Sequence, residues 1–352
     1  MDLSNSKFLT HLPDLSHAPN LENINLEGCT SLFQILSSIQ NLHKLIDLNL
    51  NGCTNLRDLE GIPGRRGYLG LVKHGHFKNL VNNICDRLKY STFLNSSIAN
   101  FMTKFTLHIS RSSISQRFPM KLTSLRLGGT SIEVVPPSIC CLPGLVLLDL
   151  RGCERLKSLP PSICKLKLLE SINLNKCSNL EEFPEISEPM ERFGVLDLSG
   201  AAIKNLPESI ENLVGLWALL LSKCKEIEFL PNNLCNLRGL CILYLEKCPK
   251  LQTLTSCPPG LEFLLMRDCE SLKLITWLPP CLFSFYASDC TSLESIQSWT
   301  SPLERNTVRL LDVMNFSKLD QNTLLIMLSS NLRILMGYVL ILFSLASFWC
   351  VL

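Results

Sequence analysis

Several things that catalysis or nucleotide binding would need are missing from this sequence. Its 352 residues contain no Gly-x-x-x-x-Gly-Lys-Ser/Thr run, so no loop of backbone amides is available to cradle a nucleotide's phosphates. Histidine is scarce at six residues, none in a catalytic signature, and no serine, threonine or cysteine stands in a nucleophile-and-base motif. Charged residues make up 18% of the chain and almost cancel, leaving a formal +2 that favours neither nucleic acid nor membrane. The opening Met1-Asp2-Leu3-Ser4-Asn5 has neither a basic start nor an apolar run, so no secretory leader is expected. The seventeen cysteines then read as thiols of a reducing compartment, not as a disulfide framework. No enzymatic activity, cofactor or metal is expected from this inventory.

What is abundant is a repeated spacing of leucines. The nine-residue pattern Leu-x-x-Leu-x-Leu-x-x-Cys returns every 21 to 24 residues over most of the chain. It reads Leu21, Ile24, Leu26, Cys29, then Leu45, Leu48, Leu50, Cys53. After a gap it resumes at Leu145, Leu148, Leu150, Cys153, and recurs with cysteine at 177, 224 and 248. Thr130 and Ala201 replace the cysteine in two variants, and the units ending at Cys269 and Cys290 have a shorter period. Ten units are recognisable.

The spacing has a physical reading. In a short strand the fourth and sixth positions face one way, and the third, fifth and seventh face the other. One unit cannot bury its own leucines, but stacked units lay them into a continuous core and pair their strands in parallel. The expected fold is therefore an α/β solenoid, a horseshoe with a parallel β-sheet on its concave face. Leu-Pro steps such as Leu159-Pro160 favour irregular, 3₁₀ or short helical return segments on the convex side. Eight cysteines share the ninth position, where a small buried thiol can donate to a neighbouring backbone carbonyl. Rungs of a parallel sheet stand about 4.8 Å apart, wider than the roughly 3.8 Å that a disulfide prefers between Cβ atoms, so these are expected to be thiols. Thr130 can donate in the same place, whereas Ala201 cannot, and an unserved buried carbonyl there would cost roughly 1 to 3 kcal/mol. Cys140, Cys164 and Cys235 recur five residues before a unit begins, a structural position more than a reactive one.

Three runs carry a family resemblance: Leu48-Asn49-Leu50-Asn51-Gly52-Cys53-Thr54-Asn55-Leu56, Val135-Pro136-Pro137-Ser138-Ile139, and Leu198-Ser199-Gly200-Ala201-Ala202-Ile203-Lys204-Asn205-Leu206-Pro207. The Gly-Cys or Lys-Cys ladder together with Leu-Pro-x-Ser-Ile return segments resembles the leucine-rich repeats of plant intracellular immune receptors. The subclass is the one built from a TIR domain, a nucleotide-binding domain and C-terminal repeats, the tobacco-mosaic-virus-resistance-like proteins. The resemblance implies a leucine-rich-repeat fold and a role in plant defence. Its partners would be proteins: a pathogen effector, a guarded host protein or a receptor domain, met in the cytoplasm or the nucleus. It does not extend to the signalling and switch domains, whose motifs this sequence lacks. Counting back one period from Leu21 puts Met1 and Leu3 in the fourth and sixth positions, as if the chain began inside a strand of a truncated first repeat.

Five regions follow. Residues 1–61 hold the first repeats, 62–121 a basic segment without the pattern, 122–299 the main repeats, 300–333 a remnant of a post-repeat domain, and 334–352 an apolar tail. The basic segment sets ten lysines and arginines, from Arg65 to Lys121, against the single acid Asp86, and reads as a degenerate or inserted stretch. Gly61 just before it and Gly64, Gly67 and Gly70 inside it lack the Lys-Ser/Thr end of a phosphate loop. His74, His76 and Cys85 lack a fourth ligand for zinc at fitting spacing. No nucleic-acid partner is expected, because no aromatic platform accompanies the charge. The stretch 312–322 resembles the start of a post-repeat domain, with Phe316 where that family has cysteine.

Function should lie on the outward positions of the strands. Early repeats present Asn23, Asn25, Glu27, Asp47, Asn49 and Asn51, a hydrated face. Later ones present Ala218 and Leu220, then Ile242, Tyr244 and Glu246, then Phe263, Leu265 and Arg267, then Tyr286. Of these Leu220, Ile242, Tyr244, Phe263, Leu265, Arg267 and Tyr286 are the expected partner-binding residues, since aromatic side chains and arginine anchor protein interfaces. Cover by the chain's own C-terminal segment or by another domain is the alternative. Two rival roles are a membrane-tethered repeat scaffold unconnected with immunity and a truncated gene product without independent function; a ubiquitin-ligase substrate selector would need an F-box-like segment that is not seen. The 19 uncharged residues 334–352 are long enough at 1.5 Å per residue to cross most of a bilayer core, which would make the chain tail-anchored. Tail insertion predicts carbonate-resistant pelleting of a tagged chain only when residues 334–352 are present; equal extraction of both forms rules the anchor out.

Overall fold

The structure, a computed structural model, describes residues 1–57, 122–297, 310–320 and 323, apart from positions 16, 34, 36–38, 40, 41, 43, 256 and 283. The basic segment 62–121, with its glycines and candidate zinc ligands, and the apolar tail 334–352 lie outside the described residues. The chain divides into two compact units, Met1–Ala202 and Ile203–Leu352.

In the first unit, three-residue strands β1 (Asn23–Asn25), β2 (Asp47–Asn49), β3 (Ser124–Arg126), β4 (Leu147–Asp149), β5 (Ser171–Asn173) and β6 (Val195–Asp197) pair in parallel in chain order. The register sets Leu48, Leu125, Leu148, Ile172 and Leu196 side by side, all buried. This alignment of fourth-position residues is what the repeat spacing requires. β2 and β3 are direct neighbours although residues 50–123 separate them. Asp2 bridges Asn25, so the opening residues do occupy the strand register that back-counting assigns to them.

The second unit holds β7 (Ala218–Leu220), β8 (Ile242–Tyr244), β9 (Thr253–Leu254), β10 (Phe263–Leu265), β11 (Leu274–Ile275), β12 (Ser284–Tyr286), β13 (Ser295–Ile296) and β14 (Leu310–Asp312). β7, β8, β10, β12 and β14 stack as a solenoid of their own register, again parallel. β9, β11 and β13 make a second parallel sheet from the return segments. Return structure follows repeat length together with the Leu-Pro step: the 24-residue repeat from Leu169, with Phe183-Pro184, has no 3₁₀ turn. Where a Leu-Pro step opens a long return segment, the proline is extended and a five-residue 3₁₀ turn follows, as at Pro161–Lys165, Glu208–Asn212 and Asn232–Asn236, burying Ile163, Ile210 and Leu234. The 21-residue repeats are about three residues shorter, which leaves no room for that turn, and two-residue strands take its place. Residues 310–320 add one more rung with Val313 and Leu319 buried, a turn outside the ten recognised by sequence because Phe316 stands at its ninth position.

Each three-residue strand leads into a left-handed residue at the eighth position. Gly28, Gly52, Gly129, Gly152 and Gly200 have φ of 67° to 73°, and Lys176, Lys223, Lys247, Asp268 and Asp289 adopt 57° to 65° at the same place. The turn is therefore a property of the repeat, and glycine only makes it cheaper.

The cysteine ladder closes the core beside that turn. Cys53, Cys153 and Cys177 donate from Sγ to the carbonyls of Leu26, Leu127 and Leu150 at 3.1 to 3.2 Å, each one turn back. In the second unit Cys248, Cys269 and Cys290 do the same to Leu221, Leu245 and Met266 at 3.0 to 3.2 Å. Thr130 departs from expectation: its hydroxyl donates to Leu127 of its own turn at 2.8 Å, because the shorter side chain turns back instead of reaching across. Ala201 leaves no unserved acceptor, since the carbonyl of Leu174 already receives the amide of Cys177 at 3.1 Å. Only a second lone pair goes unused there, which removes most of the anticipated penalty. Cys164 is likewise buried in its 3₁₀ turn, with Sγ 3.2 Å from the Ser187 hydroxyl, while Cys140 and Cys235 are half-buried.

Two predictions follow from this packing and this turn. Leu148→Ala should cost about 2 to 5 kcal/mol in urea unfolding, and Gly152→Ala about 1 to 2 kcal/mol. At Gly152 a Cβ would find nothing nearer than 3.8 Å, so that loss is purely conformational. Equal stability of Gly152→Ala and the parent would contradict the role of the turn.

Burial pushes the thiols of Cys53 and Cys153 up to about 12 and about 11 from an ordinary 9.0. The unfolded chain therefore loses protons above pH 9 that the folded chain keeps. Stability from these groups is complete below pH 9 and is lost as pH rises through 11 to 12. Urea midpoints should fall across that window, less steeply in Cys53→Ala, and at pH 8 iodoacetamide should label Cys53 and Cys153 only in urea. Native labelling as fast as at half-buried Cys235 would contradict it.

Candidate interaction surface on the strand faces

The outward positions of the first unit are polar, and most of that polarity is used by the fold itself. At the fifth position Asn25, Asn49, Asp149, Asn173 and Asp197 each accept, through Oδ1, the backbone amide two residues on, at 2.9 to 3.2 Å. These side chains terminate the strand and set up the left-handed turn. Neighbouring rungs are then tied together. Asn49 donates to both Asn25 and Glu27 at 3.0 Å, Asn51 accepts the amide of Gly128 at 2.7 Å, and Arg126 reaches both oxygens of Asp47 at 2.7 and 2.9 Å.

The second unit lacks this device. In β7, β8, β10 and β12 the fifth-position residues are Leu220, Tyr244, Leu265 and Tyr286, which are neighbours in register and carry no acceptor that could close such a turn; only at β14 does an aspartate, Asp312, return to that position. Alongside them run Ala218, Ile242, Phe263 and Ser284 at the third position. Leu220, Ile242, Tyr244, Phe263, Leu265, Arg267 and Tyr286 thus fall on one face of one sheet, each half-buried by its neighbours. Ala218 shares the face but is only 4% exposed, too small to rise above Ile242 and Leu220. The guanidinium of Arg267 lies 4.5 Å from the centroid of the Tyr286 ring, a cation–π contact that orients both.

Sequence reading missed one exposed aromatic residue next to β7. Trp217, at the second position, is 48% exposed beside β7, with Val214 at 53% nearby in the chain. The Trp217 carbonyl accepts the amides of Cys241 and Ile242 at 2.9 and 3.0 Å, so the backbone under the indole is held in the rung stack. Only the third, fifth and seventh positions count as outward in an ideal strand, whereas a three-residue strand leaves its second position on the entry bend, facing solvent. A tryptophan where other turns place Val146 and Glu170 was the available signal.

The charges around the face are ordered. Lys223 and Lys247 hold the eighth position beside β7 and β8, and Asp268 and Asp289 hold it beside β10 and β12. Glu246 follows β8, and exposed Glu262 precedes β10 on the entry side. Elsewhere in this unit a shallow depression between return segments is lined by Leu206, Phe229, Pro231, Thr253 and Thr255. Among the described residues no cluster of three or more histidine, cysteine or acidic side chains could hold a metal ion. Nor, among them, is any helix long and apolar enough to cross a membrane.

Comparison with known proteins places this surface in a family context. Residues 165–257 match the family model described as disease resistance protein RPS4B-like, leucine-rich repeats. The chain is 38% identical over 167 residues to disease resistance protein RML1B of Arabidopsis thaliana, covering 45% of this chain and 16% of that protein. It is 30% identical over 261 residues to disease resistance protein RPS6 of the same plant, covering 64% and 21%. Against TMV resistance protein N of Nicotiana glutinosa the identity is 31% over 171 residues, covering 45% and 13%. The chain thus spans a small part, 10% to 21%, of the length of relatives such as these and RPP2A. Among solved structures, the leucine-rich repeat domain of the type III effector XopL aligns with 56% of this chain and 70% of its own at 24% identity and a TM-score of 0.47. The sequence matches agree with the ladder, the Leu-Pro return segments and the left-handed turns seen here: residues 165–257 are leucine-rich repeats of the disease-resistance type, and the chain's kinship is with the repeat region of plant disease resistance proteins.

Proposed function

We propose that this chain is a non-enzymatic protein-recognition module of plant innate immunity, working in the cytoplasm or nucleus. It engages a pathogen effector or a host protein, or restrains a complete receptor in trans. The docking residues are Leu220, Ile242, Tyr244, Phe263, Leu265, Arg267 and Tyr286, joined by Trp217 at the edge. The observation that carries this reading is the change at the fifth strand position. In the first unit that position is polar because the fold consumes the polarity, and in β7, β8, β10 and β12 of the second it is aliphatic or aromatic, with no backbone role for the side chains. Half-exposed aromatic and aliphatic side chains with no task in the turn are what a protein interface uses as anchors. Kinship with disease resistance proteins supplies the biological setting, and a ladder of protonated thiols suits a reducing compartment.

Tyr244→Asp and Phe263→Asp test the reading, with Asn173→Asp on the other unit's face as control. Proteins captured by the tagged parent chain in leaf tissue should be lost by at least roughly tenfold from both variants, as expected for central anchors, and retained by the control. Thermal unfolding should stay within a few degrees of the parent in all three. Capture unchanged in both variants, or collapse of the fold with no selective loss, would sink the assignment.

A further inference from the structure

Resting on that docking surface, we infer the chemistry of the segment that fills it: a protein segment with aromatic or aliphatic anchors next to a lysine or arginine, its basic side chain seated over the β10–β12 end. The inference comes from the order of charges around the apolar row. Beside β7 and β8 the eighth position carries Lys223 and Lys247. Beside β10 and β12 the same position carries Asp268 and Asp289. Glu262 stands at the opposite margin of β10, and Glu246 closes the preceding rung. The β10 rung with Phe263 and Leu265 therefore has a carboxylate at each end, Glu262 and Asp268, and the β12 rung with Tyr286 has Asp289 at its exit.

One cation inside this border is Arg267, and its guanidinium is drawn over the Tyr286 ring. The pair shows that the aromatic floor here accepts a cation on its face. A partner's lysine or arginine docking on these rungs would be attracted by these carboxylates, an attraction that salt screens. A partner's carboxylate would meet like charge as its water is stripped away, which discriminates more strongly than the attraction itself. Sequence pattern alone misses this polarity, because lysine and aspartate serve the left-handed eighth position equally well and neither disturbs the repeat.

That equivalence supplies a clean test. Asp268→Lys with Asp289→Lys reverses the border while placing lysine in a backbone conformation that Lys223 and Lys247 already hold; the exposed bond from Asn315 Nδ2 to Asp289 at 2.7 Å is lost, so thermal unfolding of the variant is measured beside its binding. The probes are two short fluorescein-labelled synthetic peptides with leucine and phenylalanine at the same alternate positions, one with lysine and arginine between them and one with glutamate. Fluorescence polarisation on the full chain should show the basic peptide binding at least roughly tenfold tighter than the acidic one at physiological salt, the preference shrinking as salt is raised. The double variant should abolish or invert that preference, and Tyr244→Asp should weaken both peptides. Equal binding of the two peptides to the parent, or a preference untouched by charge reversal, overturns the inferred partner chemistry while leaving the docking surface standing. Binding of neither peptide, or binding of both unaffected by Tyr244→Asp, overturns the chemistry and the surface together.

Discussion

Each rung of this molecule depends on burying two aliphatic side chains against the equivalent pair of the next rung. Leu148 is fully covered only because Leu125 and Ile172 stand in register on either side of it. A buried leucine contributes roughly 1.5 to 3 kcal/mol relative to an exposed one, but a single repeat has no second layer to bury it against. Stability is consequently a property of neighbours, and everything else in the repeat serves to keep their register.

Three devices hold that register. The left-handed eighth residue turns the chain off the sheet at the same point in every rung, whether it is glycine, lysine or aspartate. The ninth-position thiols tie one turn's corner to the carbonyl of the turn before. Asparagine and aspartate at the fifth position of the first unit capture the amide two residues on, and fix where the strand stops. In β7, β8, β10 and β12 the second unit keeps the first two devices and drops the third. It folds with the same strand register regardless, so the Asx contact is dispensable to the stack and the position is free to carry recognition.

That freedom links packing to function. A strand face that must close its own turns is chemically occupied, and its polar groups offer less to a partner than their number suggests. A face relieved of that duty can hold leucine and tyrosine, with the aromatic rings steadied by their neighbours in the row and, at Tyr286, by Arg267. The border charges then vary without structural cost, since the left-handed position tolerates lysine and aspartate alike. Specificity can thus change from rung to rung while the core stays the same.

Repeat spacing, the parallel stack, the buried ladder and the outward row from Leu220 to Tyr286 were all legible in the sequence, because periodicity and strand alternation are local rules that each residue obeys wherever its neighbours lie. Other features depended on distances between turns. That Thr130 bonds within its own turn, that the Leu174 carbonyl is already served opposite Ala201, and that Ala218 sinks between larger neighbours are consequences of reach and crowding across rungs. The same holds for the second sheet of β9, β11 and β13, which exists because shorter turns bring their return segments within hydrogen-bonding distance. Exposure of Trp217 was decided by the brevity of a three-residue strand, which bends its entry residue toward solvent. A one-dimensional pattern determines which side chains face the core; only the three-dimensional stacking of turns decides which of the others remain available.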